Sequence, residues 1–478
     1  MLRPRLALLT SLSLVLLAGC SGATNTSDLD LEVAAPEPAP DLASLERRAA
    51  IEVALSLDPE DPERVAFVER LRADGPSALD ALLTDYRAAS PRDAEVDAAW
   101  RGLVDQVAQQ RDASYGGLFW YRDMNQARAE AARTGKPILS LRLLGELTSE
   151  YSCANSRLFR TLLYADPELA SWIEQEFVLH WSSERPVPRL DIDFGDGRRI
   201  ARTITGNSAH FIVDARGRVV DVIPGLIAGD GFRGELADGL ALHQRLARID
   251  DDARWRAQLA AEHEQGFSRL VDGLATQLSS IRDAPVDRDT LATWLGQSPN
   301  PDRAPVPALA AVPMAVTKSR IEAPVLAAAP GQLGGPAAEP DALAPSDAEL
   351  WRLGYARVGA STLHPNSEAI IARERPLDGL VPADQLAAAS QAMRATLLRS
   401  LVTDSGKNLF EMHARIHLEL ARRARGEDSL GFAEVDGWLY AELFETPADD
   451  PWLGLIDPSV YTGLDAGGVV TVTPKTAG

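Results

Sequence analysis

Hydrophobic and polar positions change their period several times along this chain, and the changes divide it. Leu6 to Leu17 is a mainly apolar run without a charge, its polar positions being Thr10, Ser11 and Ser13. From residue 44 to about 110 apolar positions return every third or fourth residue. They group as Leu45, Ala49, Ile51, Val53, Ala54 and Leu55; Val65, Phe67, Val68 and Leu71; Leu79, Leu82, Leu83 and Tyr86; and Val96, Trp100, Leu103, Val104 and Val107. That spacing gives each of four helices one apolar stripe. Pro62, Gly75-Pro76 and Pro91 fall between the stripes, where helices start and stop. Residues 44–112 therefore read as a small helical module.

The pattern shifts after Phe119. Asp123 to Ala132 predicts a short helix closed by Gly135-Lys136-Pro137. Pro137 to Leu144 and Phe177-Val178-Leu179-His180-Trp181 are compact apolar runs that read as strands, with a helical zone from Cys153 to Gln175 between them, broken near Asp166-Pro167. Residues 191–202 alternate about Gly195-Asp196-Gly197, a hairpin signal. A second hairpin is formed by Phe211 to Asp214 and Val219 to Ile223 around Ala215-Arg216-Gly217-Arg218. Helix returns at Phe232 to Leu246 and is expected to run on to about Ile281, giving a helical extension over 247–296. The prolines from Pro299 to Pro345 exclude a long helix or a central strand, so 297–345 reads as a linker or extended segment. Residues 346–463 are expected to form a helical C-terminal domain. Within them, Asp450 to Leu455 is an apolar, irregular stretch that packs down, and 464–478 is a tail. No internal repeat is visible.

With 478 residues, 45% hydrophobic and 24% charged, the chain is long enough for two or three cores. Its formal charge of -21 argues against nucleic acid, whose phosphates need clustered Lys and Arg.

The N-terminus adds a destination. Arg3 and Arg5 precede the apolar run, and Leu17-Ala18-Gly19-Cys20 closes it. The run is too short to span a bilayer and has the layout of an export signal. Its end resembles the bacterial lipobox. The resemblance implies cleavage before Cys20, a signal peptide over 1–19, and lipid on the Cys20 thiol. It further implies anchorage in the cell envelope, with Ser21 favouring the outer membrane, facing the periplasm. Residues 20–43, polar, acidic and Pro-bearing, then read as a tether. The membrane is thus an expected partner, through lipid, together with an envelope protein.

The order strand, cysteine at a helix start, strand, strand hairpin and closing helix over residues 117–246 resembles the thioredoxin fold. Trp120-Tyr121-Arg122-Asp123, Ala127, Ala131 and Gly135-Lys136-Pro137 resemble the entrance to exported thioredoxin-like domains. The expected fold class is an α/β thioredoxin-like domain flanked by mainly α-helical regions. The stretches Cys153-Ala154-Asn155-Ser156-Arg157, Thr205-Gly206-Asn207-Ser208 and Asp450 to Leu455 are also similar to a bacterial family of unknown function.

The resemblance places Cys153 where the first cysteine of Cys-x-x-Cys stands, and Ser156 at the second. Helix N–H groups there favour a thiolate, Ser152 is positioned to cap the helix, and Arg157 adds positive charge one turn on. A hydroxyl cannot resolve a mixed disulfide, so dithiol reduction is excluded unless another molecule supplies the second thiol. Lipid on Cys20 would leave Cys153 without an intrachain partner, since the chain has 2 cysteines. The cis-proline of thioredoxins is replaced by Ser208 or Ala209. A cis peptide without proline costs about 3 kcal/mol, so a trans loop is expected. Asn207, Ser208 and His210 are the candidates to line the cleft. Two roles follow for Cys153, Ser156 and Arg157: a monothiol oxidoreductase site with Cys153 as nucleophile, or a buried remnant within a binding or scaffolding module. No cofactor is implied.

His413 and His417, four apart on a helix, have the spacing of a zinc pair, but no Glu follows His413 and the zincin pattern is absent. They read as packing or surface residues, and no metal is expected. Asp191, Asp193 and Asp196 lack the EF-hand spacing and read as an acidic hairpin. The tryptophans read as core anchors.

Overall fold

A computed structural model of the chain describes residues 42–89, 92–204, 206–297, 342–359, 362–375, 381–426 and 428–446. The signal, Cys20, nearly all of the tether, most of the 297–345 segment, Thr205, Asp450 to Leu455 and the 464–478 tail lie outside these residues. The described chain is mainly helical, with a small mixed sheet.

The four N-terminal stripes form α1 (Leu42–Ser56), α2 (Pro62–Ala73), α3 (Pro76–Ala88) and α4 (Ala94–Ala108). Asp61 accepts from the Glu63 amide at 2.8 Å and Pro62 opens α2, a start that spends no needed N–H. Ile51, Leu79, Leu82, Leu103, Val104 and Val107 meet in a core of their own. Each fully buried aliphatic side chain there is worth about 1.5–3 kcal/mol. Arg72 ties this module to the next element by donating to Val107 O at 2.5 Å and Trp120 O at 2.9 Å.

A single turn, α5 (Ala113–Gly116), leads to α6 (Met124–Thr134). Asp123 caps α6, accepting from the Asn125 amide at 2.6 Å, and Gly135 closes it in the left-handed region at φ +74°. The chain then enters β1 (Ile138–Leu143). Next come α7 (Ala154–Leu162), α8 (Pro167–Glu176), β2 (Val178–Ser183), the hairpin β3 (Arg189–Asp193) and β4 (Arg199–Thr203), then β5 (Ala209–Val213), β6 (Val219–Pro224) and α9 (Gly229–Leu246).

The main sheet has the order β2-β1-β5-β6. β1 runs parallel to β2, pairing Ile138 with Val178 and Leu143 with Ser183, and antiparallel to β5. β5 and β6 form the expected hairpin, with Asp214 Oδ1 accepting from the Arg216 and Arg218 amides. β5 and β6 are buried along their whole length, as strands covered on both faces must be. β3 and β4 form a separate two-stranded sheet whose acidic positions are exposed and paired with arginines, Asp193 with Arg199 and Asp196 with Arg198.

The helix expected to run on from Leu246 stops there. Asp251 accepts from the Arg254 amide at 2.8 Å and starts a new helix, α10 (Asp252–Arg282), followed by α11 (Arg288–Gly296). The C-terminal region supplies α12 (Asp347–Val358), α13 (Pro365–Glu374), α14 (Leu386–Lys407), α15 (His413–Arg425) and α16 (Phe432–Trp438). A π-helical turn, Asn408–Met412, joins α14 to α15, and another, Leu439–Leu443, follows α16. α12 and α14 touch at glycines: a Cβ on Gly354 would fall 1.9 Å from Val402 O, and one on Gly406 would fall 2.2 Å from Leu350 O. The C-terminal helices do not keep a core to themselves. One hydrophobic core runs from Leu118 through the sheet and α10 to Phe444. Trp181 and Trp255 are fully buried in it, while Trp172, Trp294, Trp351 and Trp438 pack at its margin.

Candidate functional site

Cys153 lies between β1 and α7, at the N-cap position of the helix. Its amide donates to Leu144 O at 3.1 Å, which folds the connecting loop back against the end of β1. Ser152, expected to cap, does not: its buried hydroxyl has no partner and Cys153 takes the cap position. The Cys153 side chain is 0% exposed.

Its sulfur faces two hydroxyls. Ser208 Oγ lies 2.9 Å away and Ser156 Oγ 3.5 Å away. Ser156 donates its own hydrogen to Cys153 O at 2.9 Å, so toward the thiol it is an acceptor. The remaining assignment follows: the S–H points at Ser156 and the Ser208 hydroxyl donates to the sulfur. Arg157 is half-buried on the next turn and is not among the sulfur's hydrogen-bond partners.

The loop before β5 is held against this helix start. Gly206 has φ +116°, and a Cβ there would sit 3.1 Å from Cys153 Cβ, so only glycine fits. Asn207 is buried: its side-chain oxygen accepts from Asn155 Nδ2 at 3.4 Å and its carbonyl from the Tyr440 hydroxyl at 2.9 Å. Burial keeps the Tyr440 phenol protonated, well above its ordinary range. Tyr440 is a site residue the sequence did not indicate, because 233 residues separate it from Asn207.

His210 is placed elsewhere. It lies on β5 among aromatic rings, with Phe159 and Phe232 centroids each 4.7 Å from its own. Its Nε2 is 2.5 Å from the Tyr164 hydroxyl, Nδ1 has no partner, and burial lowers it to about 3, so it is neutral. Of the candidate residues, Cys153, Ser156 and Ser208 come together, Asn207 braces the loop, and His210 belongs to the core beneath α7.

Two further polar clusters lie inside the fold. Arg142, on β1, donates to Glu184 at 2.5 Å and to Asp436 at 2.8 Å, linking the sheet to α16. Burial pushes Asp436 up to about 7. The second cluster gathers three histidines and two carboxylates from β6, α9, α10 and α15. His413 bridges Asp221 Oδ1 at 3.2 Å and Glu235 Oε2 at 3.1 Å. Burial works against its positive charge, but the two carboxylates prevail and hold it at about 10. His263 Nε2 lies 2.9 Å from Val220 O, and its Nδ1 lies 2.7 Å from His417 Nδ1. Asp221, His263 and His417 form the one group among the described residues whose ligand atoms lie within 4.8 Å of one another, as a metal site needs. The sequence offered His413 and His417 as the pair. The fold instead joins His417 to His263, a lone histidine in a 31-residue helix that carries no signal of its own.

Comparison of the chain with protein-family models, with curated proteins and with solved structures gave no match.

Proposed function

We propose that this chain is a lipid-anchored, envelope-facing lipoprotein whose α/β core is thioredoxin-like and acts as a binding or scaffolding module without dithiol redox chemistry. The observation that carries the second half is the closed setting of Cys153: 0% exposed, with hydroxyls of Ser156 and Ser208 where an exchanging site needs a second thiol. A thiol exchanges only as an accessible thiolate, and a hydroxyl cannot complete the exchange. The thioredoxin-like reading is supported by the sheet order β2-β1-β5-β6, by β1 parallel to β2 with β5 and β6 antiparallel, and by a thiol at the start of the first helix after β1. The loop before β5 facing that thiol supports it too. The anchor rests on Leu17-Ala18-Gly19-Cys20 after an apolar run.

The test is the pH dependence of Cys153 alkylation in the lipidated full chain, where Cys153 is the free thiol. The expected result is no reaction until the protein is denatured. Rapid alkylation with an apparent pKa well below about 8.5 would overturn the proposal in favour of a monothiol oxidoreductase acting through Cys153. Cys20→Ser is expected to abolish lipid labelling and move the protein out of the membrane fraction. Retention there without lipid would overturn the anchor.

A further inference from the structure

We infer that Asp221, His263 and His417 form a binding site for one divalent first-row transition-metal ion of the zinc type, set between β6, α10 and α15. The site shares no residue with the surroundings of the Cys153 sulfur.

The orientation of His263 is the first argument. A backbone carbonyl only accepts, so His263 Nε2, 2.9 Å from Val220 O, carries the hydrogen. Its Nδ1 therefore presents a lone pair. Metal-bound histidines are fixed in this way, the far nitrogen donating to a carbonyl or carboxylate while the near one holds the ion. The near nitrogen here accepts from His417 Nδ1–H, 2.7 Å away, a proton that a bound ion would displace.

The carboxylate is prepared in the same manner. Asp221 Oδ1 accepts from the Val222 amide at 2.8 Å and faces His413 Nε2 at 3.2 Å. Oδ2 is the oxygen left over. Atoms bound tetrahedrally at about 2.1 Å are about 3.4 Å apart, so on loading the His263–His417 pair, at 2.7 Å, opens slightly and the rest of the set, within 4.8 Å, draws in by up to about 1.4 Å.

Local backbone makes room for this geometry. Gly266, one turn after His263 on α10, lies where a Cβ would fall 2.7 Å from the His417 ring. A glycine inside a helix costs about 1 kcal/mol, and here its absent side chain admits an imidazole. The π-helical turn Asn408–Met412 ends immediately before His413. Such turns insert one residue into the helical register and often sit at functional positions. After it, the His413 and His417 rings stack with centroids 4.4 Å apart, so His413 grips the carboxylates while His417 reaches His263.

The donor set names the ion. Two imidazoles and one carboxylate suit zinc, iron, cobalt, nickel or copper, while magnesium and calcium ask for oxygen throughout. Three protein ligands leave a coordination position for water or a small ligand. Asp221 and His263 are buried and His417 is half-buried, so His417 is the most exposed of the three.

The test uses the full chain, stripped with a chelator and titrated with Co²⁺ and then Zn²⁺. The expected result is one ion per chain, visible Co²⁺ absorption bands that Zn²⁺ abolishes, and a raised melting temperature. His417→Ala, at the half-buried ligand, and Asp221→Asn are each expected to weaken binding at least 100-fold. His413→Gln, which loosens the carboxylate without removing a ligand, is expected to cost 10–100-fold. His364→Ala, far along the chain on another helix start, leaves binding unchanged. Circular dichroism and metal-free melting of His417→Ala separate lost binding from lost folding. No uptake at micromolar metal, or uptake unchanged in both His417→Ala and Asp221→Asn, would overturn the inference.

Discussion

The sulfur of Cys153 lies 2.9 Å from the hydroxyl oxygen of Ser208, across the gap between the start of α7 and the loop that enters β5. A hydroxyl at that distance gives a fully buried thiol a hydrogen-bond partner. It also fills the space through which an attacking sulfur would approach.

Removing that partner has a modest, measurable effect. Ser208→Ala leaves the thiol with Ser156 alone and takes away one buried hydrogen bond, so stability is expected to fall by about 1 kcal/mol. A urea melt with unchanged slope checks it. A loss above about 3 kcal/mol would mean Ser208 also holds the loop.

Ser156→Cys restores the spacing of a dithiol. The two side chains already lie 3.5 Å apart at a helix start, so a rotamer change brings two sulfurs into bonding range. Mild oxidation is expected to consume both thiols, read by thiol counting before and after denaturation. Two thiols surviving oxidation would show that this helix start does not accept a disulfide.

The strands and their order along the chain were legible because Ile138 to Leu143, Val178 to Trp181 and Val219 to Ile223 are short, mainly apolar runs, the first entered from Pro137 and the last closed by Pro224. The closing of α6 was legible in Gly135, which takes the left-handed conformation its position demands. The break at residues 247–251 was missed because apolar spacing continues across it, while the signal that ends one helix is the cap Asp251 supplies to the next. The π-helical turns leave no trace in a 3.6-residue period. The partners of the site residues were illegible for a different reason: Tyr440 reaches Asn207, and His263 reaches His417, only through tertiary packing. Sequence spacing places residues on one face of one element and is silent about the element opposite.

Arg142 offers a sharper stability test. Its guanidinium serves Glu184 and Asp436 together, along with Ser182 Oγ and Ser183 O. Arg142→Met strands two carboxylates in a poorly solvated site and is expected to cost about 3 kcal/mol, seen as a lower melting temperature at pH 7. Adding Asp436→Asn should recover part of the loss. A double variant no more stable than Arg142→Met would show that the two groups are not coupled.

Two buried histidines, His180 and His210, each add to the loss of stability in acid, while Asp105 and Asp436, both pushed up to about 7 by burial, act in the opposite sense. Burial, with Arg122 and Arg142 nearby, lowers His180 to about 4, and burial alone lowers His210 to about 3. Both are neutral in the folded chain at pH 5, whereas the unfolded chain protonates near 6.5. The unfolded state then binds more protons, so this contribution is complete above about pH 6.5 and is lost as pH falls toward 4 and then 3. From pH 6 to 5 the two together are expected to remove about 2 kcal/mol. Chemical melts across that range check it, with His210→Gln expected to change the pH 6 to 5 difference by about 1 kcal/mol relative to the unaltered chain. A slope unaltered by that change would place the proton uptake on other groups.

The continuous core from Leu118 to Phe444 also sets a timetable. A chain that emerges N-terminus first completes the last strand among the described residues at Pro224, yet part of the apolar face of α10 stays uncovered until α15 arrives. The α/β portion is thus no early folding unit that later helices decorate. Its closure waits on contacts of long sequence separation, the kind that form slowly and leave sticky surface open meanwhile. Shortening this protein from its C-terminal side removes the wall of its own sheet.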